Sequence, residues 1–199
     1  MRKLALLTAI CASMMLATLA SAQQADFSFG VGTIVSPGDY TVNSNSFTVP
    51  EKGGAYPSVG FDVIFHKRFG FAAEASWKAT QGAYGGSGGQ PFRPIIYDIN
   101  GVFQPKFGKK LGADLMAGIG GQSTRFYLPF CTGTFSCTNY TSNNHFLVHI
   151  GGGVRYYVWH HFFVRPELNY YRVFNNTNEF SSDNLLRAGA SIGYTLGPE

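Results

Sequence analysis

Eight stretches of this chain alternate apolar and non-apolar residues, and the apolar phase of each carries no charge. That phase reads Phe27, Phe29, Val31; Val59, Phe61, Val63, Phe65; Phe71, Ala73, Ala75, Trp77; Ile95, Tyr97, Ile99, Phe103; Leu115, Ala117, Ile119; Phe146, Val148, Ile150, Val154, Tyr156, Val158; Phe162, Val164, Leu168, Tyr170; and Leu186, Ala188, Ala190, Ile192, Tyr194, Leu196. The other phase holds Asp26, Asp62, Glu74, Lys78, Asp98, Asp114, Arg155, Arg165, Glu167 and Arg187. Successive side chains of a strand point to opposite sides, so each stretch predicts a two-faced β-strand. The expected strands cover about 25–35, 57–66, 69–80, 93–105, 111–127, 145–158, 162–173 and 185–196. Two of them test the phase internally, because Glu74 agrees with Lys78 and Arg165 agrees with Glu167.

The connections alternate between long polar loops (Ser36 to Tyr56, Gly82 to Pro91, Leu128 to Asn144, Phe174 to Asn184) and tight turns (Lys67-Arg68, Phe107 to Lys110, Trp159 to His161). Long loops on one side and tight turns on the other describe an up-and-down barrel in an outer membrane. Ten residues at about 3.3 Å each, tilted by about 40°, cover an apolar band of about 25 Å, and every expected strand is that long. Two other geometries fit the same period. A soluble barrel of lipocalin type would turn the apolar phase inward. A ten-strand barrel would use Tyr40 to Val42 and Phe47 to Val49, but these pieces are too short to span and are expected to extend the first loop.

The amino end favours the membrane geometry. Met1-Arg2-Lys3 is a basic start, Leu4 to Leu19 an apolar run, and Ala20-Ser21-Ala22 a small-residue cleavage pattern. Residues 1–22 are therefore expected to be a signal peptide and 23–199 the mature domain, about 177 residues in one unit. Arg2 and Lys3 leave with the peptide, so the formal charge of +4 falls to +2. A nucleic-acid surface would gather Lys and Arg on one face, and no nucleic-acid partner is expected.

The signal peptide, eight amphipathic strands, long-short rhythm and aromatic strand ends resemble the small outer-membrane β-barrel proteins of the OmpA-barrel and OmpX type. The last strand, Leu186 to Leu196 with Tyr194, is similar to the closing strand that the barrel-assembly machinery reads in that family, although it runs on through Thr195-Leu196-Gly197-Pro198-Glu199 without a terminal aromatic. The resemblance implies an all-β, eight-stranded antiparallel transmembrane barrel, a monomer in the bacterial outer membrane. Its partners would be membrane lipid, the assembly machinery and an unidentified extracellular ligand of the loops.

Candidate residues follow from that geometry. An eight-stranded barrel is about wide enough to be filled by its own side chains, so Asp62, Glu74, Asp98, Asp114 and Glu167 are expected to pair with Lys78, Arg155, Arg165 and Arg187 in an interior charge network rather than line a channel. Aromatic girdles are expected at both ends, with Trp77, Tyr97, Phe126, Tyr127 and Tyr170 at one and Phe65, Phe69, Phe103, Phe107, Trp159, Phe162 and Tyr194 at the other. Cys131 and Cys137 share one loop and, in an oxidising compartment, are expected to form a disulfide. His145 and His149 lie four apart on a strand, about 13 Å, too far to share a metal by themselves. No Gly-x-Ser-x-Gly elbow or compact Ser-His pattern is present, and no catalytic, cofactor-binding or metal-ligating residue is expected. The function these features favour is a structural or surface-interaction role through the long loops. A small pore, a lipid-modifying enzyme of the outer membrane and a soluble ligand-binding barrel are the alternatives.

Overall fold

A computed structural model describes residues 24–38, 41–43, 46–66, 68–84, 89–127, 130–131 and 137–197; the expected signal peptide lies outside them. Eight long strands follow one another: β1 Gln24–Val35, β2 Tyr56–His66, β3 Phe69–Trp77, β4 Gln90–Phe103, β5 Leu111–Phe126, β6 Thr141–Trp159, β7 Phe162–Val173 and β8 Asn184–Leu196. Each pairs antiparallel with its sequence neighbours, and β1 pairs with β8 from Ala25 opposite Leu196 to Val35 opposite Leu186, which closes the barrel. Closure removes every edge, so no row of backbone donors is left to face lipid.

The faces fall as the alternation predicts. Along β7 the pattern is strictly exposed-buried from Phe162 to Val173. Phe29, Ile99, Ile150 and Ile192 are each 64–65% exposed on the outside, while Asp114 and Arg187 are fully buried within. For a soluble barrel this arrangement would be inside out; in hydrocarbon it is the stable one.

The strand ends differ modestly from the expected bounds. β6 begins at Thr141 because the polar run Thr141-Ser142-Asn143-Asn144 pairs with Phe126 to Ser123 of β5, lifting that hairpin beyond the apolar band. β3 stops at Trp77, where Lys78 N–H turns to Pro94 O (3.1 Å) and Ala79 N–H to Ala55 O (2.8 Å). Thr41–Asn43 and Ser46–Thr48 pair only with each other, so the first long loop carries a small hairpin and the barrel keeps eight strands. Register shifts at Ile64/His66 and Tyr157/Trp159 mark two of the tight turns, and His160 takes the left-handed conformation (φ 43°) that the second turn requires.

Ala190 sits outward near the middle of β8, opposite Val31 and Pro166 on its neighbours. Ala190→Arg is expected to cost about 2–4 kcal/mol in a lipid-vesicle unfolding titration, because the charge meets hydrocarbon. Ala190→Leu should unfold at nearly the wild-type denaturant concentration.

Candidate functional site in the barrel interior and its loop cap

Every strand contributes a charge to the interior: Asp26 from β1, Asp62 from β2, Glu74 from β3, Asp98 from β4, Asp114 from β5, Arg155 from β6, Arg165 and Glu167 from β7, and Arg187 from β8. Arg155 reaches three carboxylates on three strands: Asp26, Asp114 (2.9 Å) and Asp62 (3.3 Å). Arg165 shares the last two, at 3.1 Å from Asp114 and 3.3 Å from Asp62, and binds Glu167 through Nε at 3.1 Å. Arg187 joins Glu167 (2.5 Å) to Glu74. The guanidinium suits this task because its planar fork addresses several carboxylates at once. Phe163 covers the turn side of Arg155, its ring centre 4.0 Å from the guanidinium carbon.

Of the residues expected in this network, Asp62, Glu74, Asp114, Arg155, Arg165, Glu167 and Arg187 converge. Asp98 sits beside it instead, accepting a hydrogen bond from Asn100 and lying 3.5 Å from His149 Nδ1. His149 is held between Asn100 (2.7 Å) and Asn169 (3.1 Å) and stacks on Tyr171 with ring centres 4.6 Å apart. Lys78 lies apart from the Arg–carboxylate network, near the loops, with Nζ 5.2 Å from the Phe92 ring centre. Asp26, on the polar phase but outside the expected set, is one of the closest partners of Arg155.

Apolar side chains close the lumen above and below the charges. Toward the turns lie Ile64, Ala72, Val102 and Met116, and toward the loops Ile34, Tyr56, Ile96, Leu147, Tyr171, Val173 and Leu185. Beyond the second layer the long loops fold inward. Val49 of the first loop bridges Phe180 of the last, and Ser181 N–H donates to Val49 O at 3.0 Å. Phe180 is fully buried among Tyr84, Phe92 and Phe126, with ring centres 5.4 Å from Phe92 and 5.8 Å from Tyr84. Phe126 therefore belongs to this cap and not to the expected girdle. Glu179 ties the same loop to the sides of the mouth, accepting hydrogen bonds from Tyr84 at its carbonyl and from Asn143 (2.5 Å) at its carboxylate, with His145 Nε2 at 3.2 Å.

Beneath the cap, Glu51 of the first loop is fully buried and accepts a hydrogen bond from Gln122 Nε2 at 2.8 Å. Burial pushes its carboxyl up to about 7, outweighing the opposing pull of the Gln122 hydrogen bond and the Lys78 charge. No sequence period marks Glu51, because it lies on a loop.

A family model for the outer membrane protein beta-barrel domain matches residues 8–197. The chain belongs to that family. Similar solved structures include Ail, the attachment invasion locus protein of Yersinia pestis (13% identity, TM-score 0.56, covering 88% of this chain and 99% of that one). The N-terminal β-barrel domain of Pseudomonas aeruginosa OprF is comparable (12%, TM-score 0.54, 88% and 98%), as is Neisserial surface protein A (11%, TM-score 0.58, 86% and 95%). At these identities the likeness is one of fold. Among curated proteins, none matches this sequence. This outer-membrane barrel thus has its location from its family and its interior from its own residues.

Two outcomes follow. Arg155→Met leaves Asp26, Asp62 and Asp114 without their shared cation and should cost about 3–5 kcal/mol in denaturant titration in vesicles, against a much smaller loss for Lys78→Met. The cap should respond to pH in one direction: Glu51 is held neutral more readily when buried than in an open, solvated loop, so closure is favoured below the ordinary carboxylate range and weakens as pH rises through about 7. Amide exchange around Phe180 should speed up across that interval beyond the intrinsic rate, and Glu51→Gln should remove the excess.

Proposed function

We propose that this barrel is a non-enzymatic, monomeric outer-membrane protein that acts through its long loops, in a structural or surface-interaction role. The observation that carries the reading is the filled lumen: a charge network drawn from seven of the eight strands, an apolar layer on either side of it and a loop cap above leave side chains where a conducting path would run. Function is then left to the outer ends of the loops, where Tyr140 and Phe174 are about two-fifths exposed. The names of two structural relatives, an attachment invasion locus protein and a surface protein, support a role in surface contact. Residues 1–22 act as an export signal that is removed, and the barrel-assembly machinery inserts the mature chain.

The third long loop carries a disulfide between Cys131 and Cys137 in this reading. Supporting it, the two residues stand directly opposite in a short antiparallel pair, Phe130–Cys131 with Cys137–Thr138, and opposed residues in such a pair have Cα atoms about 4.5–5.5 Å apart, within disulfide range. The bridge closes only a short ring, so it orders the loop without holding the barrel.

Replacing both cysteines with Ser should leave heat-modifiable, inserted barrel at wild-type levels while increasing cleavage within 129–141 by protease added to intact cells. Cleavage seen only after the periplasm is opened would reject the surface role. In planar bilayers the unmodified barrel should pass little or irregular current; large uniform steps would establish a pore instead.

A further inference from the structure

The tight-turn end of the barrel concentrates exposed positive charge. Arg68, Lys106, Lys109 and Lys110 are exposed, and among the described residues none of them has a carboxylate within ion-pairing distance. Among the described residues, the carboxylate nearest these lysines in sequence, Asp114, is buried and committed to Arg155 and Arg165. Exposed lysines on one turn would be an ordinary solvated surface if they stood alone. Here the turn between β4 and β5 faces the turn between β6 and β7 across a cleft of about 680 Å³, whose walls are Lys106, Lys109, Lys110, His160 and His161.

The cleft is not uniformly polar. On the lipid side its lip is Leu111, Val158 and Trp159, which are 41%, 57% and 66% exposed. Trp159 lies flat against Phe162, with the planes 12° apart, and Phe162 meets Tyr194 with ring centres 4.9 Å apart. That aromatic row fixes the headgroup level of the bilayer, because indole and phenol rings settle at the boundary between hydrocarbon and water. The lysines therefore stand at phosphate depth, and the apolar lip leads from them straight into the acyl region.

We propose that this cleft binds an anionic glycerophospholipid of the periplasmic leaflet. Lys106, Lys109 and Lys110 would hold the headgroup phosphate, and the chains would run along Leu111, Val158 and Trp159. The placement in that leaflet follows from the tight turns, which lie on the periplasmic side of outer-membrane barrels. A soluble anion would use the lysines and leave the apolar lip idle; a lipid uses both. Lysine near a membrane surface gains substantially from an anionic headgroup, and three converging on one cleft make the preference selective over zwitterionic lipid.

The chain has two tryptophans, so Trp77→Phe leaves Trp159 as the only indole reporter in the mature barrel. That protein is folded into phosphatidylcholine vesicles containing a minor fraction of either brominated-chain phosphatidylglycerol or brominated-chain phosphatidylcholine. Trp159 should be quenched by the brominated phosphatidylglycerol at least about fivefold more than by the same fraction of the zwitterionic lipid, the factor that one engaged lysine supplies. Lys106→Gln, Lys109→Gln and Lys110→Gln together should bring the two lipids to equal quenching while heat-modifiability shows the barrel still folded. Equal quenching in the unsubstituted protein, or a preference that survives the triple substitution, overturns the site. Loss of the preference on adding free glycerol phosphate in amounts matching the lipid would assign the cleft to a soluble phosphate and overturn the lipid reading.

Discussion

A buried guanidinium must find carboxylates, and in this barrel it can find them only on strands that closure brings together. Arg155 on β6 draws on Asp26 of β1, Asp62 of β2 and Asp114 of β5, residues that lie 129, 93 and 41 positions away along the chain. Arg187 on β8 reaches Glu74 on β3 across the lumen. An open sheet would present the same side chains to water or lipid without these partners. The charges therefore penalise every incompletely closed form and reward the closed one, which is how a polar interior specifies a single strand order. Backbone pairing works in the same direction, since an unclosed sheet in lipid would leave two edges unsatisfied.

The alternation along the chain was sufficient to place the wall of the barrel, and it did so most cleanly where both faces have one job each. β7 is the clearest instance: its bounds coincide with the expected 162–173, and its apolar and polar phases meet lipid and lumen throughout. The interior network was legible for the same reason, as charges on the inward phase of a narrow barrel have few places to go. Less legible were the apolar layers that stopper the lumen. Their signal is the local loss of alternation at strand ends, where Ile34-Val35, Ile95-Ile96, Phe146-Leu147-Val148 and Leu185-Leu186 are apolar on both phases. A rule that asks only for one apolar face passes over such runs. Asp98 and Lys78 show a further limit, because phase puts a side chain inside but does not choose its partner; height along the tilted strand does.

Loops carry no period, and the cap was correspondingly hidden. Glu51, Asn176 and Phe180 are buried as deeply as any strand residue, yet nothing in their neighbourhoods repeats. Their positions depend on contacts between the first and last long loops, which become neighbours because β1 and β8 do. Phe126 illustrates the same point from the strand side: its place at a strand end suits a girdle, but the cap offers it three aromatic neighbours within the mouth.

The layering has a consequence for proton traffic. The charge network lies between two apolar stoppers, with Asp114, Arg187 and Asn169 excluded from solvent. Neutral polar groups pass both layers: Gln24 and Gln104 link Asp26 and Asp114 to the turn end, and the Tyr171 hydroxyl accepts from Arg187 on the loop side. The core is thus sealed by apolar bulk and wired to its two ends through amides and a phenol, so the route by which a proton reaches the ion pairs is set by side chains that carry no charge themselves.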